Sequence, residues 1–212
     1  MDERTKQRSA APAARRLRAV ESFQSAAECI GTIEPGCAVF AITRGQFSMI
    51  DAVLAVLDQT GPASVSLWTW TVAEYEVEVL ARLRRDERIR AGLLVIDYGA
   101  LVKNAGIVAD WRGSFGDRSV RYVVNHAKIA TVESDRFRVL LRGSMNLNFN
   151  PRFEQFDLTE GGADFDLIRE VEGELPFFDD VTGEAAYSAS RVSAAFEPEQ
   201  LAMFSGVRRW AR

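Results

Sequence analysis

A layered α/β fold, with one mixed β-sheet flanked by helices, is the architecture this sequence predicts. Three observations point to it. Strand-like and helix-like apolar patterns alternate between Ala38 and Tyr98, and a second run of strands joined by turns spans Val120 to Leu158. The 212 residues, 47% apolar and 26% charged, are enough to fill one core. Such alternation implies right-handed crossovers.

Taken in order, Ala38 to Ile42 reads as a short strand. Gly45 to Leu57 places Phe47, Ile50, Val53, Leu54 and Leu57 on one side of a helix, which Gly61-Pro62 stops. Ser64 to Trp70 is a strand, Val72 to Arg88 a helix ending in charge, and Gly92 to Tyr98 a buried strand with few polar residues. From Gly99 to Asp117 the periodicity weakens. Gly106, Gly113 and Gly116 there suggest a loop that carries Trp111 and Arg112 over a site entrance. A strand from Val120 to Val132 and another from Phe137 to Arg142 follow, then a third over Phe153 to Leu158. Asp164 to Leu175 is helical before Pro176 interrupts, and Glu184 to Phe196 is a last helix, packed outside or at a subunit contact. The chain thus divides into a basic arm over residues 1–20, expected to be disordered, an α/β domain over 37–178 and a helical extension over 179–212.

The net charge of −4 hides an asymmetry. Arg4, Lys6, Arg8, Arg15, Arg16 and Arg18 face only Asp2 and Glu3 in the first eighteen residues, so that segment carries +4 and the remainder −8. Long-range attraction to nucleic acid must therefore come from the arm, from the Arg208-Arg209-Arg212 tail or from local patches. The arm reads equally as a solvated leader or a nucleic-acid tether. Cys29 and Cys37 are too few for a disulfide scaffold, and one histidine offers no plausible zinc set. Buried free thiols, no catalytic metal and no cofactor are expected. With no run of eighteen apolar residues and no apolar secretion core, a soluble cytoplasmic protein without membrane contact is expected.

The chemistry centres on the single histidine, His126. Every second side chain of a strand shares a face, so a strand from Val120 to Val132 would project His126 and Lys128 together, a nucleophile beside a cation. The next strand ends in Gly143-Ser144-Met145-Asn146, where glycine allows backbone amides close to an anion and Ser144 and Asn146 add hydroxyl and amide donors. Such a cluster suits a phosphate.

His126-Ala127-Lys128 followed by Gly143-Ser144-Met145-Asn146 resembles the HxK and GSxN signature of the phospholipase D superfamily. The resemblance extends back through Val65 to Trp70 and Leu93 to Asp97, and forward through Phe153-Glu154-Gln155-Phe156-Asp157-Leu158, covering Met49 to Glu174. It departs where the pattern HxKxxxxD calls for aspartate, because Glu133 stands there with Asp135 two residues later. Both lie at odd offset from His126 and are expected to point away from the phosphate. The connection from Glu133 to Gly143 is also longer than the family pattern. Gly143 to Arg152 is similar to phage and prophage members of the superfamily, which implies DNA handling.

The resemblance implies a phospholipase D-like fold and a metal-independent phosphodiesterase. In it His126 attacks phosphorus and forms a phosphohistidine, Lys128 neutralises the phosphoryl oxygens, and Ser144 and Asn146 donate hydrogen bonds. Glu154 would fix the tautomer of His126. The leaving oxygen needs a second imidazolium, which this chain does not hold, so a homodimer sharing two His126 rings is expected. Arg142 and Arg152 are candidates for neighbouring phosphates, and Phe149 for stacking on a base, with Trp68, Trp70 and Phe153 as further aromatics more readily assigned to the core. A nuclease or nicking enzyme, with DNA ahead of RNA, is the leading expectation. The alternative is a non-catalytic nucleic-acid-binding or assembly module, and lipid phosphodiester cleavage comes third for want of an amphipathic basic helix.

Overall fold

The computed structural model describes residues 15–97, 99, 104–147, 151–175 and 177. They form an α/β fold built on one mixed eight-stranded sheet: β1 (Arg16–Arg18), β2 (Ala38–Arg44), β3 (Ala63–Thr69), β4 (Ile89–Asp97), β5 (Val120–Val123), β6 (Ile129–Glu133), β7 (Arg138–Gly143) and β8 (Phe153–Glu160). The strand order is β1-β2-β8-β7-β6-β3-β4-β5. β1 runs parallel to β2, and β3, β4 and β5 run parallel to one another. The middle of the sheet is antiparallel.

Five helices flank the sheet: α1 (Ala26–Ile30), α2 (Met49–Thr60), α3 (Glu74–Arg85), α4 (Ala105–Phe115) and α5 (Ala163–Glu174). The first four share one core with one face of the sheet. Val39 and Ala41 of β2, Val65 and Leu67 of β3, Ala130 and Val132 of β6, and Phe156 and Leu158 of β8 all point into it. α2 starts where the sequence makes a capping box, with Ser48 accepting from the Asp51 amide and Asp51 accepting from the Ser48 amide. It ends at Gly61, whose φ of 73° suits glycine.

α5 lies across the opposite face and is tied there by polar side chains. Its buried Glu172 accepts from Ser66 Oγ, from Trp68 Nε1 at 2.8 Å and from Arg169 at 2.6 Å. Burying a carboxylate is tolerable only when its lone pairs are filled in this way.

Several expectations need correction. Residues 16–18 of the expected disordered arm form β1, paired with Val39 to Ala41, while residues 1–14 lie outside the described residues. The expected loop from Gly99 to Asp117 contains α4 instead. Its Val108, Trp111 and Phe115 fall at helical spacing, and Gly106 and Gly113 stand where an added Cβ would meet nothing within 4 Å. Trp111 does not cover an entrance, being buried with its indole donating to Ser119 O at 3.2 Å. The expected strand from Val120 to Val132 is two strands, β5 and β6, separated in the sheet by β3 and β4. The expected helix from Glu184 to Phe196 and the 179–212 extension lie outside the described residues. Cys29 and Cys37 are buried free thiols, and burial pushes the Cys29 thiol up to about 12 against the opposing pull of Arg18 and Arg16. Among the described residues no helix is long and apolar enough to cross a membrane.

Candidate functional site

The strand directions bring one set of chain ends to a single rim. The C-terminal ends of β2, β3, β4, β5 and β7 meet there with the N-terminal ends of β6 and β8. In open α/β sheets this rim is where loops leave room for ligands.

Residues 124–128 cross that rim from β5 to β6, over the ends of β4 and β3. Asn125 holds the crossing. Its buried side-chain amide donates to Thr69 O at 3.0 Å and Val95 O at 3.3 Å, its Oδ1 accepts from the Ala127 amide at 2.8 Å, and its own amide donates to Asp97 Oδ2 at 3.1 Å. Every hydrogen-bonding group of the side chain is used. Asn125 thus fastens the segment carrying His126 to two strands.

His126 is exposed and Lys128 is buried beneath it, at 8%. The lysine Nζ lies 3.2 Å from Nδ1 and 3.3 Å from Nε2 of the imidazole and donates to His126 O at 2.8 Å. Near-equal distances mean that the ammonium is not aimed along one nitrogen's lone pair. Burial lowers the Lys128 pKa from its ordinary value, with Glu154 pulling the other way.

The neighbouring strand supplies the next group. The hairpin between β6 and β7 turns at Ser134 to Phe137, where the Ser134 amide donates to Phe137 O at 2.9 Å. The long connection is therefore ordinary antiparallel ladder, and it returns Gly143 to the level of Lys128, whose carbonyl accepts from the Gly143 amide at 3.2 Å. A Cβ on Gly143 would sit 2.2 Å from Gln155 O, so only glycine lets β7 and β8 close here. Ser144 follows on the rim. Its Oγ donates to Glu154 Oε2 and accepts from the Gln155 amide at 2.9 Å.

Asn146 sits deeper, with its carbonyl and that of Leu147 accepting from the first two amides of α2, Met49 at 3.3 Å and Ile50 at 3.4 Å. Those helix donors are consumed by the loop. Asn146 Oδ1 is buried with no partner.

The rim thus gathers His126, Lys128, Ser144 and Glu154, with Asn146 adjoining through its loop. The remaining expectations fare differently. Glu154 makes no hydrogen bond to the imidazole, and its Oε2 accepts from Ser144 Oγ instead. Arg142 lies on the α5 face, locked by Asp157 at 3.0 Å and Asp164 at 2.7 Å, so it faces no phosphate bound at Lys128. β-strand alternation accounts for this, since Arg142 immediately precedes Gly143, which is on the Lys128 face. Arg152 is exposed beside β8, and Phe149 lies outside the described residues. Glu133 and Asp135 sit at the far end of β6, in ion pairs with Arg169 at 3.5 Å and Arg90 at 2.6 Å.

One contact was not anticipated. Trp70, just past the end of β3, packs against the His126 ring with centroids 6.0 Å apart and planes at 47°, yet remains 49% exposed. Its alternation with the inward-facing Thr69 was the available signal. Among the described residues no cluster of three or more His, Cys, Asp or Glu is placed to hold a metal ion.

No protein-family model matches the sequence, and no curated protein matches it significantly. Among solved structures the chain is similar to TrmBL2, an archaeal chromatin protein whose structure shows a novel mode of DNA binding. The two are 10% identical with a TM-score of 0.38 over 64% of this chain. The match spans about half, 51%, of the TrmBL2 chain.

Proposed function

We propose that this chain is a metal-independent phosphodiesterase of the phospholipase D type, acting on nucleic acid as a nuclease or nicking enzyme, with DNA preferred to RNA. The observation that carries this reading is an exposed imidazole whose two ring nitrogens both lie within 3.3 Å of a buried lysine ammonium, with Ser144 returned beside it by the β6–β7 register. In the first step a neutral His126 nitrogen forms a bond to phosphorus as the bond from phosphorus to the leaving oxygen breaks. Lys128 takes up charge on the non-bridging oxygens, joined by the Ser144 hydroxyl as it turns from Glu154 to the phosphate. The leaving oxygen receives a proton from the imidazolium of His126 of the partner subunit in a homodimer. That imidazole, now neutral, deprotonates the water that cleaves the phosphorus–nitrogen bond. No cofactor takes part.

The test is cleavage of single- and double-stranded oligonucleotides in the presence of EDTA. His126→Ala is expected to lose all turnover, and wild type quenched in alkaline denaturant, where the phosphorus–nitrogen bond survives, to retain a phosphohistidine. Activity that survives in His126→Ala overturns the assignment to this site.

A second reading draws on the engagement of Glu154 by Ser144. No carboxylate hydrogen-bonds to the imidazole among the described residues, so nothing there fixes the tautomer of His126, and the rim would then bind phosphate without breaking it. Oligonucleotide binding that weakens steeply with salt, with no phosphohistidine formed, would favour this non-catalytic nucleic-acid-binding or assembly module.

A further inference from the structure

One exposed aromatic ring stands at the His126–Lys128 rim. Trp70, 49% exposed, packs on His126 itself from the β3 end. The other exposed ring nearby, Phe153 at the start of β8 with the Arg44 guanidinium 5.4 Å above its centre, alternates with the inward-facing Phe156 and so lies on the α5 face, away from Lys128.

Single exposed apolar residues are common and mean little alone. Trp70, however, touches the candidate nucleophile itself, beside a buried ammonium and a hydroxyl. An aromatic ring beside a phosphate site can stack on any base, because every base has a π-face. A duplex keeps those faces stacked on one another, whereas an unpaired strand can offer them. We infer that Trp70 is a stacking platform for a base next to the phosphate held at His126 and Lys128, and that the ligand is an unpaired nucleic-acid strand. The inference deepens the proposed function and rests on its placing of the phosphate, though not on turnover.

The experiment is binding, by fluorescence anisotropy, of labelled deoxythymidine and uridine oligonucleotides and of a mixed-sequence duplex to the full chain. Wild type, Trp70→Ala, Trp70→Phe and Phe153→Ala are compared in EDTA at fixed salt. Trp70→Ala is expected to weaken single-strand binding by about tenfold or more, while Phe153→Ala, on the opposite face of the sheet, should leave it unchanged. Trp70→Phe, which keeps a ring, should recover most of the loss, and duplex binding, weaker from the start, should change little. Equal deoxythymidine and uridine affinities mark recognition through base faces, while a sugar preference adds hydroxyl contacts to the same platform. Single-strand affinity unchanged in Trp70→Ala, or a loss shared equally by duplex, overturns the inference. Failure of the phosphodiesterase reading would show instead as absent turnover with this binding pattern intact.

Discussion

Asn125 and Thr69 are joined by a buried hydrogen bond of 3.0 Å from side-chain amide to main-chain carbonyl, which fixes the chain one residue before His126 to the end of β3. Removing the amide strands the carbonyls of Thr69 and Val95 in the interior. Asn125→Ala is expected to cost about 2–3 kcal/mol, since each buried group left unpaired carries a penalty of about 1–3 kcal/mol, part of which water entry relieves. Urea unfolding should show a lower midpoint with an unchanged slope.

Gly143 and Gly113 make an opposed pair. A Cβ at Gly143 collides with Gln155 O, whereas one at Gly113 meets nothing. Gly143→Ala is expected to destabilise by about 3 kcal/mol as β7 and β8 are forced apart. Gly113→Ala, inside α4, should stabilise by about 0.5–1 kcal/mol. Thermal unfolding of both variants checks the pair, and equal effects would contradict the described register.

How much of this was legible in the sequence follows from what each signal encodes. The apolar runs of β3 and β4 and the helical spacing of α2 are local, and each was readable within a few residues. α4 was not, because its two glycines, with Gly116 just past its end, mask the Val108, Trp111 and Phe115 spacing that packing rewards. The grouping of His126, Lys128 and Ser144 was readable as a motif. That Glu154 would be engaged by Ser144, and Arg142 by two aspartates on the opposite face, depends on strand neighbours that no local pattern specifies. Trp70 was readable only as an aromatic at a strand end, its contact with His126 being set by the crossing over β3.

Lys128 makes stability depend on pH with a definite sign. Its folded-state pKa lies below the ordinary 10.5, so between the two values the unfolded chain binds more protons than the folded one and stability rises with pH. The cost of burying the ammonium is therefore fully present at neutral pH and is relieved as pH climbs through that window. Lys128→Met lacks the relief. The stability of wild type relative to Lys128→Met should increase from pH 8 to roughly the ordinary lysine value, measured by urea midpoints across the range. A constant difference would mean that the amine is solvated.

Glu133→Asp restores the aspartate of the HxKxxxxD pattern. The carboxylate at 133 meets Arg169 across the α5 face and is half exposed, far from the rim. Stability is expected to stay within about 0.5 kcal/mol, the usual range for a surface substitution. Cleavage or oligonucleotide binding should be unaltered. A large gain in turnover would show that the two ends of β6 are coupled.

The placement of β3 and β4 between two strands that are consecutive in the chain has a consequence for the order of events during folding. Residues 124–128 have no ladder of their own, and their anchors, Thr69, Val95 and Asp97, exist as a surface only once two strands joined through a helix have come together side by side. In amide exchange the Ala127 proton, held by one side-chain oxygen, should be released well before that of Ile96. The imidazole proposed as nucleophile is thus among the last parts of the molecule to find its seat and among the first to leave it.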